Sequence, residues 1–178
     1  MITLFTTTKI FSGIFKIIQT NALNSWRTIS SNIQIIIIGD SEGSKEAADL
    51  INAEFIPEVE CSSEGVPLIN SLFSIAQSRA KYPIIAYVNA DILLPPNLLE
   101  VIFLLQKFRS NFLAVGSRWD LDVKTTINFT RGDEALSFWD YAKKNAEMHR
   151  PAGIDYFIYN KALWNNIPPL AIGRFGWD

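Results

Sequence analysis

Ile84-Ile85-Ala86-Tyr87-Val88-Asn89-Ala90-Asp91 is a short apolar run that stops in two oxygen-bearing side chains, with Pro95-Pro96 soon after. The run has the length and composition of a buried β-strand. In an extended chain, residues two apart point the same way, so Asn89 and Asp91 share one face. In open α/β sheets, ligands bind at the C-terminal edge of the strands. Two oxygen donors there suit a hard cation such as Mg²⁺ or Mn²⁺, whose remaining ligands are waters and substrate phosphates. Asp91 is the principal candidate ligand and Asn89 a neutral helper. The alternative is an Asx turn that merely ends the strand.

Working outward, the same kind of strand recurs. Ile2–Thr7 alternates and is rich in β-formers. Ile35–Ile38 is a β-branched run ending in Gly39-Asp40, as in a parallel strand buried on both faces. Phe55-Ile56 and Phe112–Gly116 are further strands. Helical spacing separates them. Ser12 is positioned to cap a helix carrying Ile14, Ile17, Ile18, Ala22, Trp26 and Ile29. Ser44 is positioned to cap a short helix through Ile51. Pro67 opens a third helix with Leu68, Leu72, Ile75, Ala76 and Arg79. Residues Pro95–Phe108 form a fourth, with Leu98, Leu99, Ile102 and Leu105 inward. This alternation predicts an α/β, Rossmann-like and mostly parallel sheet with helices on both faces.

From Arg118 to Gly153 the chain turns polar, with one helix expected around Asp133–Glu147, before Ile154–Tyr159 resumes as a strand. A long polar excursion between sheet strands is usually functional. A tolerated surface insertion is the alternative. No repeats or linker-like tracts divide the chain, so residues 1–178 are expected to form one domain.

Composition limits the function. Sixteen basic against eighteen acidic residues leave a net charge of −2, so no bulk field recruits nucleic acid. The single Cys61 excludes an internal disulfide and a multi-cysteine zinc site. No segment reaches the roughly 18 apolar residues of a membrane-spanning helix. The N-terminus lacks a basic region and a cleavage site, so a cytoplasmic location is expected.

Other strand ends carry polar groups. Thr6, Thr7 and Lys9 leave the first strand, and Asp40 leaves the second, where a carboxylate can accept from ribose hydroxyls or a base. Asn70, in the first turns of the third helix, has an amide for a base or sugar. A literal Asp-x-Asp at Asp120-Leu121-Asp122 is a second metal candidate. Arg118, just before it, suits charge pairing and counts among the candidate binding residues. Late in the chain, Asp155 begins an apolar strand, Arg174 is a candidate phosphate partner and Asp178 a candidate base. The lone His149 is expected on the surface.

Taken in order, these residues resemble the A-type glycosyltransferases, the nucleotide-diphospho-sugar transferases, and among them the glycosyltransferase-2-like group. The resemblance rests on Asp40, Gly65 with Asn70, then Ala80 through Asn89-Ala90-Asp91. Further stretches carry it from about Thr3 to the last residue: Phe5-Thr6-Thr7-Thr8-Lys9-Ile10-Phe11, Arg118-Trp119-Asp120-Leu121-Asp122 and Ile172-Gly173-Arg174-Phe175-Gly176-Trp177-Asp178. It implies a metal-dependent transferase moving a sugar from a nucleotide-sugar donor, a UDP-sugar first, to a saccharide or other hydroxyl acceptor. Asp91 with Asn89 would hold Mn²⁺ or Mg²⁺ and the diphosphate, and Thr6, Thr7, Asp40 and Asn70 the nucleoside. Asp155 would face the acceptor, and Asp178 would be the base of an inverting reaction.

Two departures stand out. Asn89 replaces the first Asp of the usual pair. Such domains also ordinarily continue past the position of Trp177-Asp178, so the resemblance describes this chain as short at its C-terminus. A catalytically impaired nucleotide-sugar-binding module or scaffold is the competing reading. Sugar-nucleotide synthesis is disfavoured, because Thr6-Thr7-Thr8-Lys9 stands where that chemistry uses a Gly-rich phosphate loop.

Overall fold

A computed structural model describes residues 1–150, 154–174, 176 and 177. Three parallel strands form its centre: β1 (Ile2–Thr6), β2 (Gln34–Ile38) and β4 (Ile84–Val88). All fifteen of their residues are buried, as expected of β-branched strands covered on both faces. β1 pairs with β2 on one side and β4 on the other, and the short β3 (Glu54–Ile56) extends the sheet beyond β2.

Alternation along each strand sorts side chains into two cores. On one face Ile2, Leu4, Ile35, Ile37, Ile84, Ala86 and Val88 meet helices α1 (Gly13–Ile29), α2 (Ser44–Leu50) and α4 (Leu98–Phe108). Trp26 of α1 is fully buried there, and its indole N–H donates to the Ile92 carbonyl at 2.7 Å. That bond ties the helix to the loop just beyond Asp91. On the other face α3 (Ile69–Arg79) covers Phe5, Ile36, Ile38, Ile85 and Tyr87. This core is aromatic. Phe73 stacks on Tyr159 at 5.7 Å and on Tyr87 at 5.8 Å, with Phe5 edge-on at 5.0 Å.

The mostly parallel sheet and its flanking helices match expectation. The order does not follow from simple alternation. It is β3-β2-β1-β4-β8-β5, with β8 (Tyr156–Asn160) inserted antiparallel between β4 and β5 (Leu113–Gly116). The start of β8 therefore lies at the same edge as the end of β4. Asp155, one residue before β8, donates its backbone N–H to Gly116, and its carbonyl accepts from the Asn89 N–H at 3.0 Å.

Local starts differ from the expected ones. α3 begins at Ile69, so Pro67 belongs to the preceding loop, where the Ile172 N–H donates to its carbonyl. α4 begins at Leu98 rather than Pro95. Ser12 holds the N-cap position of α1 without a side-chain capping bond. Ser44 is the first residue of α2, not its cap, because its hydroxyl is taken by Thr8 at 2.6 Å. Within the polar excursion lie α5 (Gly132–Asn145) and a two-stranded ribbon, β6 (Trp119–Asp120) with β7 (Glu147–Met148), which periodicity did not predict. Two residues per strand are too few to show a period.

Candidate functional site

The ends of β1, β2 and β4 open into a crevice of about 840 Å³. Thr7, Thr8 and Lys9 leave β1 on its wall, Gly39 and Asp40 leave β2, and Asn89, Ala90 and Asp91 leave β4. Gly39 has a left-handed φ of 101°, and a Cβ there would stand 3.1 Å from the Thr7 hydroxyl oxygen, so the two loops approach closely only at a glycine. The Thr8–Ser44 contact and the Ser41 hydroxyl, donating to the Thr8 carbonyl at 2.8 Å, fasten the same loops together. Gln19 of α1 is buried and fixes Lys9 by two hydrogen bonds to its backbone, accepting from the N–H at 2.7 Å and donating to the carbonyl at 3.0 Å.

The far wall comes from the C-terminal segment. Ile69 N–H donates to Leu170 and Leu68 bridges Ala171, which carries Gly173, Arg174 and Trp177 to the crevice. Trp177 meets Tyr87 edge-on at 5.7 Å. Arg174 reaches across to pair with Glu64. Sequence reading named Gln19, Ser41, Tyr87 and Trp177 as no candidate site residues, since nothing local tells which of them reach the crevice wall.

Asp91 is exposed in this crevice and has no hydrogen bond or ion pair among the described residues. Asn89 is engaged on both sides of its amide. The Tyr87 hydroxyl donates to Oδ1 at 2.8 Å, and Nδ2 donates to Asp155 Oδ1 at 3.1 Å. Burial, then the nearby Asp91 and Asp155 charges, push the Tyr87 phenol far above its ordinary value, so it remains a donor. The Asx turn is not what ends this strand, because the side chain of Asn89 bonds elsewhere. An aspartate at 89 would set its carboxylate against that of Asp155. The amide can donate where a carboxylate cannot.

Asp155 itself is 4% exposed. The Arg118 Nη1 donates to both of its oxygens, at 3.1 and 3.2 Å. Arg118 also bonds Asp120 through Nε at 2.7 Å, and His149 Nδ1 lies 2.6 Å from the other Asp120 oxygen. One polar chain thus runs Tyr87, Asn89, Asp155, Arg118, Asp120, His149, and the ribbon β6–β7 carries its outer end. His149, expected as a bystander on the surface, closes that chain.

Several sequence-derived candidates lie away from the crevice wall. Arg118 and Asp155 do not line the crevice, since each is spent on the other in the network beside it. The Asp155 carboxylate accepts instead from the Asn89 amide and from Arg118. Thr6 is fully buried and its hydroxyl donates to the Thr7 carbonyl, so only Thr7 reaches the wall. Asn70 lines a separate hollow with Ser74, Gln77 and Trp164, because the helix starts at Ile69 and turns position 70 away from the crevice. Asp120-Leu121-Asp122 is consumed by Arg118, His149 and Lys124. Asp178 lies outside the described residues.

Among the described residues no three His, Cys, Asp or Glu side chains gather as a metal site. The oxygen donors that the end of β4 brings to the crevice are those of Asn89 and Asp91. Asp91 offers one unencumbered carboxylate, and Asn89 Oδ1 keeps one lone pair after accepting from Tyr87.

The Asp120 carboxyl is held below the usual carboxylate range, first by its hydrogen bond with His149 and then by Arg118. A depressed folded value contributes stability that is complete above the unfolded value and disappears as pH falls through the folded one. Asp120→Asn is therefore expected to destabilise the protein at neutral pH, with the difference closing in acid. Urea unfolding of both proteins across that range checks this; a gap independent of pH would overturn it.

No family model matches the chain, and no curated protein matches it in sequence. Solved structures do. The chain is similar to the glucosyl-3-phosphoglycerate synthase of M. tuberculosis, at 11% identity and a TM-score of 0.52, over 90% of this chain and 57% of that one. The likeness is one of fold. Weaker similarities are to S. aureus TarS 1-349 in complex with UDP-GlcNAc, at 12% identity, TM-score 0.47, and 63% of this chain against 32% of that one. The bifunctional IspDF from Campylobacter jejuni follows, at 12% identity, TM-score 0.46, and 90% against 41%. The chain spans between about a third and just over half of the length of these structures. The α/β Rossmann-like architecture is thus shared with the glucosyl-3-phosphoglycerate synthase.

Proposed function

We propose that the crevice binds a nucleotide-sugar donor, a UDP-sugar first, and that the protein is a metal-dependent glycosyltransferase. One observation carries this reading. Asp91 is an exposed carboxylate, unpaired among the described residues, at the C-terminal edge of a buried parallel strand; it lies within a crevice large enough for a nucleotide, which Asp40 also lines from the end of β2, on the far side of β1. Asp91, with the remaining lone pair of Asn89, would hold Mn²⁺ or Mg²⁺, which supplies charge neutralisation for the leaving diphosphate. Thr7 and Asp40 flank the nucleoside. Lys9, whose ammonium lies over the Phe15 ring at 4.8 Å, and Arg174 supply positive charge for the phosphates. Trp177 and Tyr87 exclude water from one wall. The acceptor is a saccharide or other hydroxyl compound. Asp178 follows Trp177 directly and is proposed as the base that deprotonates this hydroxyl, giving inversion.

Titrating UDP into the protein with Mn²⁺ or Mg²⁺ is expected to give a calorimetric signal and a raised melting temperature, both lost with EDTA. No response to UDP or any other nucleotide would sink the donor-site reading. The engagement of Asn89 by Tyr87 and Asp155 favours a second reading, a nucleotide-sugar-binding module without turnover. Metal-dependent binding with no release of sugar from the donor, and no transfer, would select it.

A further inference from the structure

Helix α4 is apolar on both sides. Its inner side places Leu98 and Ile102 in the core, with Leu99 packed against them. On its outer side Val101, Leu104 and Phe108 are 42%, 62% and 79% exposed. Spaced three and four residues apart, they form one stripe along the helix. A helix that is apolar all round is ordinarily covered on both sides. Three charges border the stripe: Glu100 in the first turn, Lys107 in the last, and Arg109 at the C-cap. Among the described residues none of the three has an ion pair. Lys107 and Arg109 lie instead over the rings of Phe103 and Phe108, at 4.3 and 5.4 Å.

We propose that this stripe is the two-fold contact of a homodimer, in which α4 packs antiparallel against the same helix of a second copy. The stripe is self-complementary in that arrangement. With the helices crossing beside Leu104, Val101 lies opposite the partner's Phe108 and Glu100 opposite the partner's Arg109. Lys107 stands two turns after Glu100 on the same side of the helix, so the partner's Lys107 also comes to this Glu100. By symmetry the contact between an acidic first turn and a basic last turn occurs twice, once for each copy's Glu100. A parallel pairing would instead set Glu100 against the partner's Glu100. An anionic bilayer fits less well, because Glu100 borders the stripe and the chain carries −2 overall.

Sedimentation equilibrium of the 178-residue chain from low to high micromolar concentration tests this. A reversible dimer is expected. Leu104→Glu and Phe108→Glu should each leave a monomer with unchanged circular dichroism, since both side chains are exposed. Glu100→Lys should weaken the dimer about tenfold or more, as should Lys107→Glu with Arg109→Glu. Combining all three reversals should restore it. A monomer throughout, a dimer that survives Leu104→Glu, or a combined variant no tighter than the separate ones would overturn the proposal. Binding of the native chain to phosphatidylserine vesicles that Leu104→Glu abolishes would do the same, by assigning the stripe to lipid.

Discussion

Replacing Asp91 with alanine is expected to abolish metal-dependent UDP binding while leaving the unfolding transition where it is. The two halves of this expectation have one cause. Asp91 is exposed and makes no hydrogen bond or ion pair among the described residues, so its removal leaves no buried group unsatisfied. It is also the one crevice carboxylate of β4, and the neutral Asn89 beside it has already given part of its acceptor capacity to Tyr87. Binding should weaken by about a hundredfold or more, roughly 2.8 kcal/mol. Asp91→Asn, which keeps the shape and removes the charge, should behave nearly as badly. Asp40→Ala should cost less, because ribose or base contacts are lost while the metal position stays intact. Calorimetry with UDP and Mn²⁺ measures all three. Native affinity in Asp91→Ala would remove the metal-diphosphate assignment altogether.

Arg118→Ala is expected to act on stability instead, at about 2 kcal/mol, because it removes the cationic donor of a buried carboxylate whose partner is half-exposed. The survivor here is Asp155, 4% exposed and left, among the described residues, with the Asn89 amide as its side-chain donor. Asp155→Asn should cost less. The Arg118 side chain is 36% exposed and still bonded to Asp120, so it keeps solvent and a partner. Asn89 can then donate to the new amide oxygen. The asymmetry is the diagnostic feature. Urea unfolding of the two variants and their double measures it, and equal losses, or no loss in Arg118→Ala, would show that Asp155 does not depend on Arg118. The same variants bear on binding, since Asp155 orients Asn89 beside Asp91. Arg118→Ala should therefore also weaken UDP binding, though less than Asp91→Ala.

The central strands were legible in the sequence because their signal is local. Ile35–Ile38 and Ile84–Val88 are unbroken β-branched or apolar runs ending in oxygen-bearing residues, and that combination specifies both burial and direction. Asp40 and Asp91 followed at once, since a parallel strand delivers its last residue to the ligand edge. Asn70 did not. Its position depends on the turn at which α3 begins, and a start two residues after Pro67 rotates its side chain away from the crevice.

By itself, then, the sequence determined the α/β alternation, the two-faced sheet and the polar residues that end β1, β2 and β4. Each of these follows from composition and period within a few neighbouring residues. Only the tertiary structure decided that β8 enters antiparallel between β4 and β5. That insertion brings Asp155 to Asn89, 66 residues away along the chain, and through Arg118 recruits Asp120 and His149. It also holds the Asn89 amide between a phenol and a carboxylate. Strand direction and order in a sheet arise from the packing of whole elements, which no local period encodes.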